Sequence, residues 1–315
     1  MFLSIVAVFC DKDVQYVPNL LNIIEEKVKV SHEVILIDNR ENNKDTIDFK
    51  GAEVHTKGYN AYQFEARRFA VQFCKGEYIW FIDSDDNILT VKKDLENTLK
   101  EDLIIFNYMV ERNVLLLPFS WRFTKEAFKR KRFTSIKRPN LMEWCPTNDL
   151  WDICCCTMWN KWVKRNLMEE IVSLVPSDEI IVASEDVLYA SLILDRCDTI
   201  NFCDDTIYIY KEGLACGNEL EMTVDKFFHI IKGYDKARAL FEKLIKDHQI
   251  YNNVETNVAY FYSKLIFSED PDICFLHMKK YFTDEELKAG LVHPWIPDLP
   301  IKKQELLIKL AETHL

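Results

Sequence analysis

A buried strand that runs directly into three acids decides the fold: Gly76-Glu77-Tyr78-Ile79-Trp80-Phe81-Ile82-Asp83-Ser84-Asp85-Asp86-Asn87. Its apolar part is aromatic and β-branched and too short for a helix, which predicts a strand buried on both faces. Asp83, Asp85 and Asp86 follow at the carboxyl end of that strand. In an open α/β sheet, this is the edge where ligands bind.

Three carboxylates at this spacing repel one another unless a positive charge lies among them. Mg²⁺ or Mn²⁺ bound together with a nucleotide diphosphate is the common solution, since these cations take oxygen ligands from one or two carboxylates plus phosphates. The alternative is a solvated acidic turn in which Asp86 or Asn87 caps the next helix. The surrounding sequence decides between these two interpretations.

Composition limits the class of protein. The chain has 315 residues, 48% of them hydrophobic, which is enough for one large or two smaller globular domains. Its formal net charge of -11 argues against a nucleic-acid partner. None of the ten cysteines forms a C-x-x-C pair, so reduced thiols and a cytoplasmic location are expected.

Apolar runs alternate with helical patterns through the first part of the chain. Such alternation predicts an α/β fold with a parallel sheet. The predicted strands are Leu3 to Phe9, Val34 to Ile37, Ala52 to His55, Tyr78 to Ile82 and Leu103 to Phe106. The predicted helices cover Leu20 to Val28, Ala61 to Lys75 with Asn60 as N-cap, and Val91 to Lys100.

The glycine-rich phosphate loops of other nucleotide-binding folds are missing. A Rossmann domain needs G-x-G-x-x-G after its first strand. Here that position, Val8 to Asp13, contains no glycine, and the chain has no Walker A sequence. A bound nucleotide would therefore have to be held by acids, a metal ion and positive side chains.

Four segments, taken in order, resemble family 2 glycosyltransferases of the GT-A fold. They are S-I-V-A-V-F, V-I-L-I-D-N, A-R-R-F-A and G-E-Y-I-W-F-I-D-S-D-D. The family patterns are strand-P-x-Y-N, V-D-D-G-S, A-R-N-x-G and G-E-Y-I-x-F-L-D-S-D-D. The chain departs from them at Ala7 or Val8, Asp11, Asn39 and Arg68, and no G-S-x-D follows Asp38. The resemblance implies a GT-A-like mixed, mostly parallel sheet flanked by helices.

The resemblance also implies roles for residues of the first half. Asp38 would accept a hydrogen bond from a uracil-type base, unless it is an ordinary turn acid. Arg67 would contact the donor's phosphates, unless it forms a helix-surface ion pair. Asp85 and Asp86 would hold Mn²⁺ or Mg²⁺ and the ribose. The full predicted nucleotide-sugar set is Phe9, Asp11, Asp38, Arg67, Asp83, Asp85 and Lys161.

Ser184-Glu185-Asp186 begins a second helical pattern in which both acids occupy the first turn. The helix dipole favours a carboxylate at that end. The family carries an E-D motif about a hundred residues after D-S-D-D, and Glu185-Asp186 match it. Asp186 is the predicted general base, with Glu185 orienting it or the acceptor, in an inverting transfer. The alternative is a pair of ordinary N-terminal helix acids.

Three features of the second half bear on partners. Met158 to Arg165 resembles the family's W-N-K-L-Y-R-R stretch, where Lys161 would meet the leaving diphosphate. The basic segment Ser120 to Arg138 suits a phosphorylated or lipid-linked acceptor or an anionic membrane face, or is a solvated surface. From Val224 onward the pattern is helical, and these helices complete the acceptor site, form an oligomer interface or pack on the catalytic domain.

The sequence therefore predicts a catalytic domain over residues 1–222 and a helical region over 223–315. Within the first, residues 1–110 would bind the nucleotide sugar and 111–222 the acceptor. The leading hypothesis is a metal-dependent inverting glycosyltransferase that uses a nucleotide-sugar donor, with UDP-sugars favoured, and a glycan or glycolipid acceptor. The alternatives are a nucleotidyltransferase on a similar sheet and a non-catalytic carbohydrate-binding relative.

Overall fold

The computed structural model divides into two compact units. The first unit comprises residues 1–180 and 185–216, and the second comprises residues 181–184 and 217–315. The residues described here are 1–41, 47, 49–112, 115–118, 134–137, 157–176, 181, 185–211, 222–245, 254–292, 296–299 and 301–315.

A mixed sheet of ten described strands forms the first unit. Its strands are β1 Leu3–Phe9, β2 His32–Asp38, β3 Glu53–Thr56, β4 Tyr78–Asp83, β5 Asn87–Ile88, β6 Leu103–Arg112, β7 Leu115–Pro118, β8 Thr134–Lys137, β9 Lys161–Lys164 and β10 Thr199–Lys211. The order is β3-β2-β1-β4-β9-β6-β10-β5, with β7 beside β6 and β8 beside β10. The first four strands in that order are mutually parallel, whereas β9 runs antiparallel to β4 and β6. The predicted α/β class with a mixed sheet is confirmed.

Five described α-helices accompany this sheet and five more build the second unit. The first set is α1 Val17–Lys27, α2 Tyr62–Val71, α3 Leu95–Thr98, α4 Arg165–Leu174 and α5 Glu185–Arg196. The second set is α6 Val224–Leu244, α7 Val254–Leu265, α8 Pro271–Met278, α9 Asp284–Leu291 and α10 Ile301–His314. Short 3-10 turns cover Val14–Tyr16 and Ile296–Asp298.

Strand β1 lies at the point where the sheet order reverses, because β2 flanks it on one side and β4 on the other. Phe9 pairs with Asp38 of β2, and Val8 pairs with Asp83 of β4. Since the three strands are parallel, their carboxyl ends meet at one edge. This reversal is where open α/β sheets bind ligands.

The approach to β4 depends on Gly76. A Cβ at this position would lie 2.5 Å from the backbone nitrogen of Ser4 and 2.7 Å from the carbonyl carbon of Leu3. The Gly76 amide also donates to Ser4 Oγ at 2.8 Å. The absence of a side chain therefore lets the chain enter β4 directly against β1.

Two helices near the acidic stretch differ from the sequence-based prediction. Helix α2 begins at Tyr62 rather than Ala61, and its N-cap makes no side-chain hydrogen bond. The predicted cap, Asn60, instead accepts bonds from the Asn39 side chain and the Tyr62 amide, which ties the end of β2 to the helix. The helix predicted over Val91 to Lys100 shortens to α3, because the Val91 amide donates to the Lys27 carbonyl at the end of α1 and the Val91 carbonyl accepts from the Lys29 amide.

The second unit has its own hydrophobic core, built from α6 to α10 around Phe227, Tyr262 and Phe275. The sequence Thr283-Asp284-Glu285-Glu286 predicts a capped helix start, and the structure confirms it: Thr283 and Glu286 form a reciprocal capping box at α9. Within the described parts of the chain, no helix is both long and apolar enough to cross a membrane.

Candidate active site

The acids after β4 form a turn that one tyrosine hydroxyl closes. The Asp83 amide donates to Tyr208 Oη at 3.1 Å, and Tyr208 Oη donates to Asp86 Oδ2 at 2.6 Å. The other oxygen of Asp86 accepts from the Lys211 amide at 2.7 Å. Strand β10 therefore holds the acidic turn from the side, and both oxygens of the buried Asp86 are engaged by the protein.

Arg67 joins two acids that are far apart in the sequence. From α2, its Nη2 lies 3.3 Å from Asp83 Oδ1 and its Nη1 donates to Asp186 Oδ1 on α5. Only 3% of the arginine side chain is exposed, compared with about a quarter of each acid. A buried charge is costly unless it is paired. The guanidinium thus fixes the first acid of the D-S-D-D turn beside the first turn of α5.

The cluster carries more negative charge than Arg67 neutralises. Burial raises the pKa of Asp83, Asp86 and Glu185, and neighbouring carboxylates raise each further, while Arg67 acts to lower the pKa of Asp83 and Glu185. For Arg67, burial alone lowers the pKa, but Asp186 and Asp83 raise it overall. A positive ligand at this edge would relieve the repulsion among the acids.

Asp85 is the acid of this turn with the fewest described hydrogen-bond partners. It is half-buried, and no other described residue donates a hydrogen bond to its carboxylate. Burial raises its pKa, Asp13 adds to that effect, and Lys211 opposes it. No group of three or more His, Cys, Asp or Glu residues in the described chain is arranged to hold a metal ion alone. A carboxylate such as Asp85 nonetheless fits Mg²⁺ or Mn²⁺, which complete their shells with phosphate oxygens and water.

At the end of β2, Asp38 is bound by an arginine two residues later. Arg40 donates to Asp38 through its backbone amide at 3.2 Å, through Nε at 2.9 Å and through Nη2 at 2.6 Å. Nearby, Asp11 accepts from the Glu41 amide at 3.1 Å. Phe9 is fully buried and packs edge-on against Phe49, with ring centroids 5.7 Å apart. Phe9 and Asp38 thus end the paired strands β1 and β2, and Asp11 lies just after β1.

Lys161 lies in β9 and is 1% exposed. Its ammonium donates to the Thr157 carbonyl at 2.5 Å and to Asn160 Oδ1 at 2.8 Å. The adjacent Trp159 is also buried and stacks between Tyr208 and Tyr210. The W-N-K segment therefore packs within the sheet, and contact of Lys161 with a leaving diphosphate stays a prediction.

Sequence reasoning missed three residues of this edge. They are Tyr208, in a segment that resembles the closing strand of the family; Gln63, three residues after the predicted N-cap Asn60; and Arg40. Gln63 Nε2 in fact donates to Asp83 Oδ1 at 3.0 Å. The neighbours of the acids along the chain could have flagged Arg40, but the contacts of Tyr208 span 122 and 125 residues and have no local signal.

Several parts of the sequence that bear on these predictions lie outside the described residues. They are Ser184, a candidate N-cap for the helix with Glu185 and Asp186; the basic segment Ser120 to Arg138 apart from β8; the consecutive cysteines Cys154 to Cys156; and Gly213 and Gly217, which suggest a loop that could cover the donor. The acids that follow Ser184 do occupy the first turn of α5, as predicted.

The fold is of the GT-A type found in glycosyltransferases. No known protein-family model matches the sequence, and no curated protein matches it either. The likeness is therefore one of structure.

Solved structures of two proteins share this fold with the chain. S. aureus TarS residues 1-349 in complex with UDP matches with a TM-score of 0.52 and 13% identity over 98% of this chain and 79% of that one. A longer S. aureus TarS structure matches with a TM-score of 0.56 and 15% identity over 100% of this chain and 53% of that one. GalNAc-T7 with UDP, GalNAc and Mn²⁺ matches with a TM-score of 0.52 and 11% identity over 81% and 51%, respectively. The chain thus spans about half the length of the last two.

Proposed function

We propose that this chain transfers a sugar from a nucleotide-diphosphate donor, a UDP-sugar by preference, to a hydroxyl of a glycan or glycolipid, with inversion at the anomeric carbon. The observation that carries the proposal is the contact of Arg67 with both Asp83 and Asp186. It joins the acids expected at the donor to the acid expected to act as base. A sugar transfer needs these two functions side by side.

The donor class is supported by the position of the acidic turn and by the structures of similar fold. The turn lies at the reversal point of the sheet, near the end of β2 at Asp38 and the segment after β1 that carries Asp11. The structure of TarS residues 1-349 and that of GalNAc-T7 contain UDP. We therefore assign the loops after β1 and β2 to the base and ribose, and the turn after β4 to the diphosphate.

A divalent cation, Mn²⁺ or Mg²⁺, fits this assignment with Asp85 as its protein ligand. When bound, it would supply positive charge to the departing diphosphate. Asp86 was predicted as a second ligand. Its oxygens already accept from Tyr208 and Lys211, so we propose that Asp86 chiefly holds the turn in shape. Asp83 stays beside the donor through Gln63 and Arg67.

Asp186 is the proposed general base. Arg67 binds its Oδ1, and no described residue donates to its Oδ2, which leaves that oxygen for the acceptor hydroxyl. Glu185 precedes it, half-buried, and would orient the acceptor. The acceptor oxygen would attack the anomeric carbon from the face opposite the diphosphate while Asp186 takes its proton, and the bond between that carbon and the diphosphate oxygen would break in the same step. Such a single displacement inverts the anomeric centre.

Arg67 is assigned a positioning role in this mechanism. The sequence predicted that it contacts the donor's phosphates, and its two carboxylate contacts support a different use. A planar guanidinium bound at both ends keeps Asp83 and Asp186 at a set separation. Arg67 would thus hold Asp83, which lies beside the donor, and the base Asp186 in fixed positions before the acceptor binds.

The cellular setting is part of the proposal. We expect a cytoplasmic protein that meets its acceptor at the membrane face, consistent with reduced cysteines at Cys10, Cys74, Cys197, Cys203 and Cys274. The helices of the second unit would serve the acceptor or a second copy of the chain.

The test combines binding and turnover. Thermal melting with a panel of nucleotide diphosphates, with and without Mn²⁺, should show metal-dependent stabilisation by UDP. UDP release from a panel of UDP-sugars, with water as acceptor, then reports turnover. Asp186→Asn should lower that rate by about 100-fold or more while UDP still stabilises the protein, because a general base contributes about 10²–10⁴-fold.

Asp205→Asn is the matched control, since Asp205 forms an ion pair with the exposed Lys92 and lies outside the acidic cluster. It should leave both melting and turnover unchanged. If no nucleotide stabilises the unsubstituted protein, the proposed function fails. If Asp186→Asn retains full turnover, the assignment of the base is wrong.

A further inference from the structure

We propose that Arg40 sets the base selectivity of this site, making it favour uracil and reject guanine. The inference rests on the proposed function, since it assumes that a nucleotide base reaches Asp38. It concerns a residue that no expectation from the sequence covered.

Arg40 occupies most of the hydrogen-bond acceptor sites of the buried Asp38 carboxylate. Asp38 is 2% exposed, and Arg40 gives it three N–H donors: Nε and the backbone amide on Oδ1, and Nη2 on Oδ2. A carboxylate offers about four lone-pair sites, so about one remains for another donor. The side-chain part of this contact is the bidentate fork that gives arginine pairs their geometric specificity.

The contact is also held in place from both sides. The Asn39 amide donates to the Phe9 carbonyl at 2.9 Å, and the Asn39 side chain donates to Asn60 and accepts from the Ala61 amide. Asp38 and Arg40 therefore flank a residue whose backbone and side chain are both tied to neighbouring elements. Arg40 occupies the place of the glycine in the V-D-D-G-S pattern, where a side chain of this kind is absent.

The hydrogen-bonding edges of the bases respond differently to such a pair. Uracil presents one donor, N3–H, between two carbonyl acceptors. Guanine presents two adjacent donors, N1–H and the amino group, which suit a carboxylate with both oxygens open. With Arg40 bound, Asp38 offers about one acceptor site, which matches the single N3–H donor of uracil and leaves one of the two guanine donors without a partner. A site rejects a ligand strongly when buried polar groups are left without partners.

The experiment measures dissociation constants of UDP and GDP by calorimetry at fixed Mn²⁺ and compares their ratio between variants. The unsubstituted protein should bind UDP at least about tenfold more tightly than GDP. Arg40→Ala opens both oxygens of Asp38, and the GDP-to-UDP ratio of dissociation constants should fall about tenfold, or about 1.4 kcal/mol. Arg68→Ala removes an equal charge from α2 and should leave the ratio unchanged.

The same substitution in an Asp38→Asn protein separates the effect of opening the Asp38 carboxylate from the effect of losing a positive charge. In Asp38→Asn there is no carboxylate to open, so adding Arg40→Ala should not change the ratio further. Arg40→Lys keeps the charge without the fork. Arg40→Lys should therefore also lower the GDP-to-UDP ratio of dissociation constants. If circular dichroism shows that Arg40→Ala is unfolded, the ratio for Arg40→Lys tests the inference instead.

The outcomes are distinguishable. A ratio that neither Arg40→Ala nor Arg40→Lys changes, in a protein that binds UDP, overturns the inference and leaves the proposed function standing. Absence of nucleotide binding in the unsubstituted protein overturns the proposed function and this inference with it.

Discussion

At the scale of single residues, Tyr208 contributes one hydroxyl to both ends of the acidic turn. It accepts from the Asp83 amide and donates to Asp86, and it is fully buried. Burial raises the pKa of Tyr208 well above its usual range, and Asp86 and Asp83 raise it further, so the hydroxyl keeps its proton. It therefore acts as a fixed hydrogen-bond relay between the start and the end of the turn.

Tyr208→Phe should destabilise the protein by about 1–3 kcal/mol, because it leaves a buried amide and a buried carboxylate each short of a partner. It should also weaken metal-dependent UDP binding, since the turn loses its closure. Urea denaturation and calorimetric titration measure the two effects. Tyr78→Phe is the control, since its hydroxyl donates to the Glu101 carbonyl at 2.9 Å outside the turn. Equal UDP affinity in both variants would contradict the role of Tyr208.

The stability of the folded protein should depend on pH through the carboxyl group of Glu185. Burial raises its pKa, and the charge of Asp186 adds to the effect. A carboxyl group whose pKa is higher in the folded than in the unfolded protein favours folding at low pH, and this contribution is lost as the pH rises past the unfolded value and through the folded one. Ionised Glu185 is thus a cost to the folded state above that window.

Glu185→Gln should therefore raise the melting temperature of the ligand-free protein at pH 8 and change it much less at pH 4.5. Thermal denaturation at a series of pH values tests this. Glu26→Gln, at an exposed position of α1, is the control for loss of a glutamate outside the site. A change in melting temperature that is the same at every pH for Glu185→Gln would show that its environment is not the one described.

At the scale of elements, the junction before β4 has no room for a side chain. The atoms that a Cβ at Gly76 would meet most closely belong to the backbone of Ser4 and Leu3 in β1, a strand that is paired on both sides. Neither can move without disturbing the pairing of β1 with β4.

Gly76→Ala should cost about 1–3 kcal/mol or more, as overpacking does in a closely packed interior. Gly51→Ala is the comparison, because Gly51 has φ of +87° and open space around it. It should cost only about 1 kcal/mol, from the left-handed backbone alone. Chemical denaturation of both variants gives the comparison, and a cost of Gly76→Ala no greater than that of Gly51→Ala would refute the steric argument.

At the scale of the whole molecule, the second unit has the apolar core of an independent domain. Its buried residues come from all five helices α6 to α10, and Met222 just before α6 belongs to the same cluster. A separate core is what allows a part of a chain to fold alone.

A fragment of residues 217–315 should therefore show a helical circular dichroism spectrum and a cooperative thermal transition. Phe275→Ala within the fragment should lower the transition markedly, because truncating a buried phenylalanine costs about 3–5 kcal/mol. Ile273→Ala, at an exposed position of the same helix, should have little effect. A fragment without cooperative melting would show that this core needs the rest of the chain.

The sequence determined the parts of this protein that depend on local pattern. The strand Leu3–Phe9, the run that ends in Asp83, the acids in the first turn of α5 and the capping box at Thr283 follow from hydrophobic runs, turn residues and capping chemistry over a few neighbouring positions. These signals are enough for the α/β class and for the list of candidate acids.

The tertiary structure alone decided which of those acids share a site and what holds them. Arg67 reaches Asp186 across 119 residues, and Tyr208 reaches Asp86 across 122. Such contacts follow from the order and register of strands in the sheet, and no local pattern encodes them. The same holds for Gln63, which local rules assign to capping and the fold turns towards Asp83. Burial of a charge or a hydroxyl creates a need for a partner, and only the folded chain determines which residue meets it.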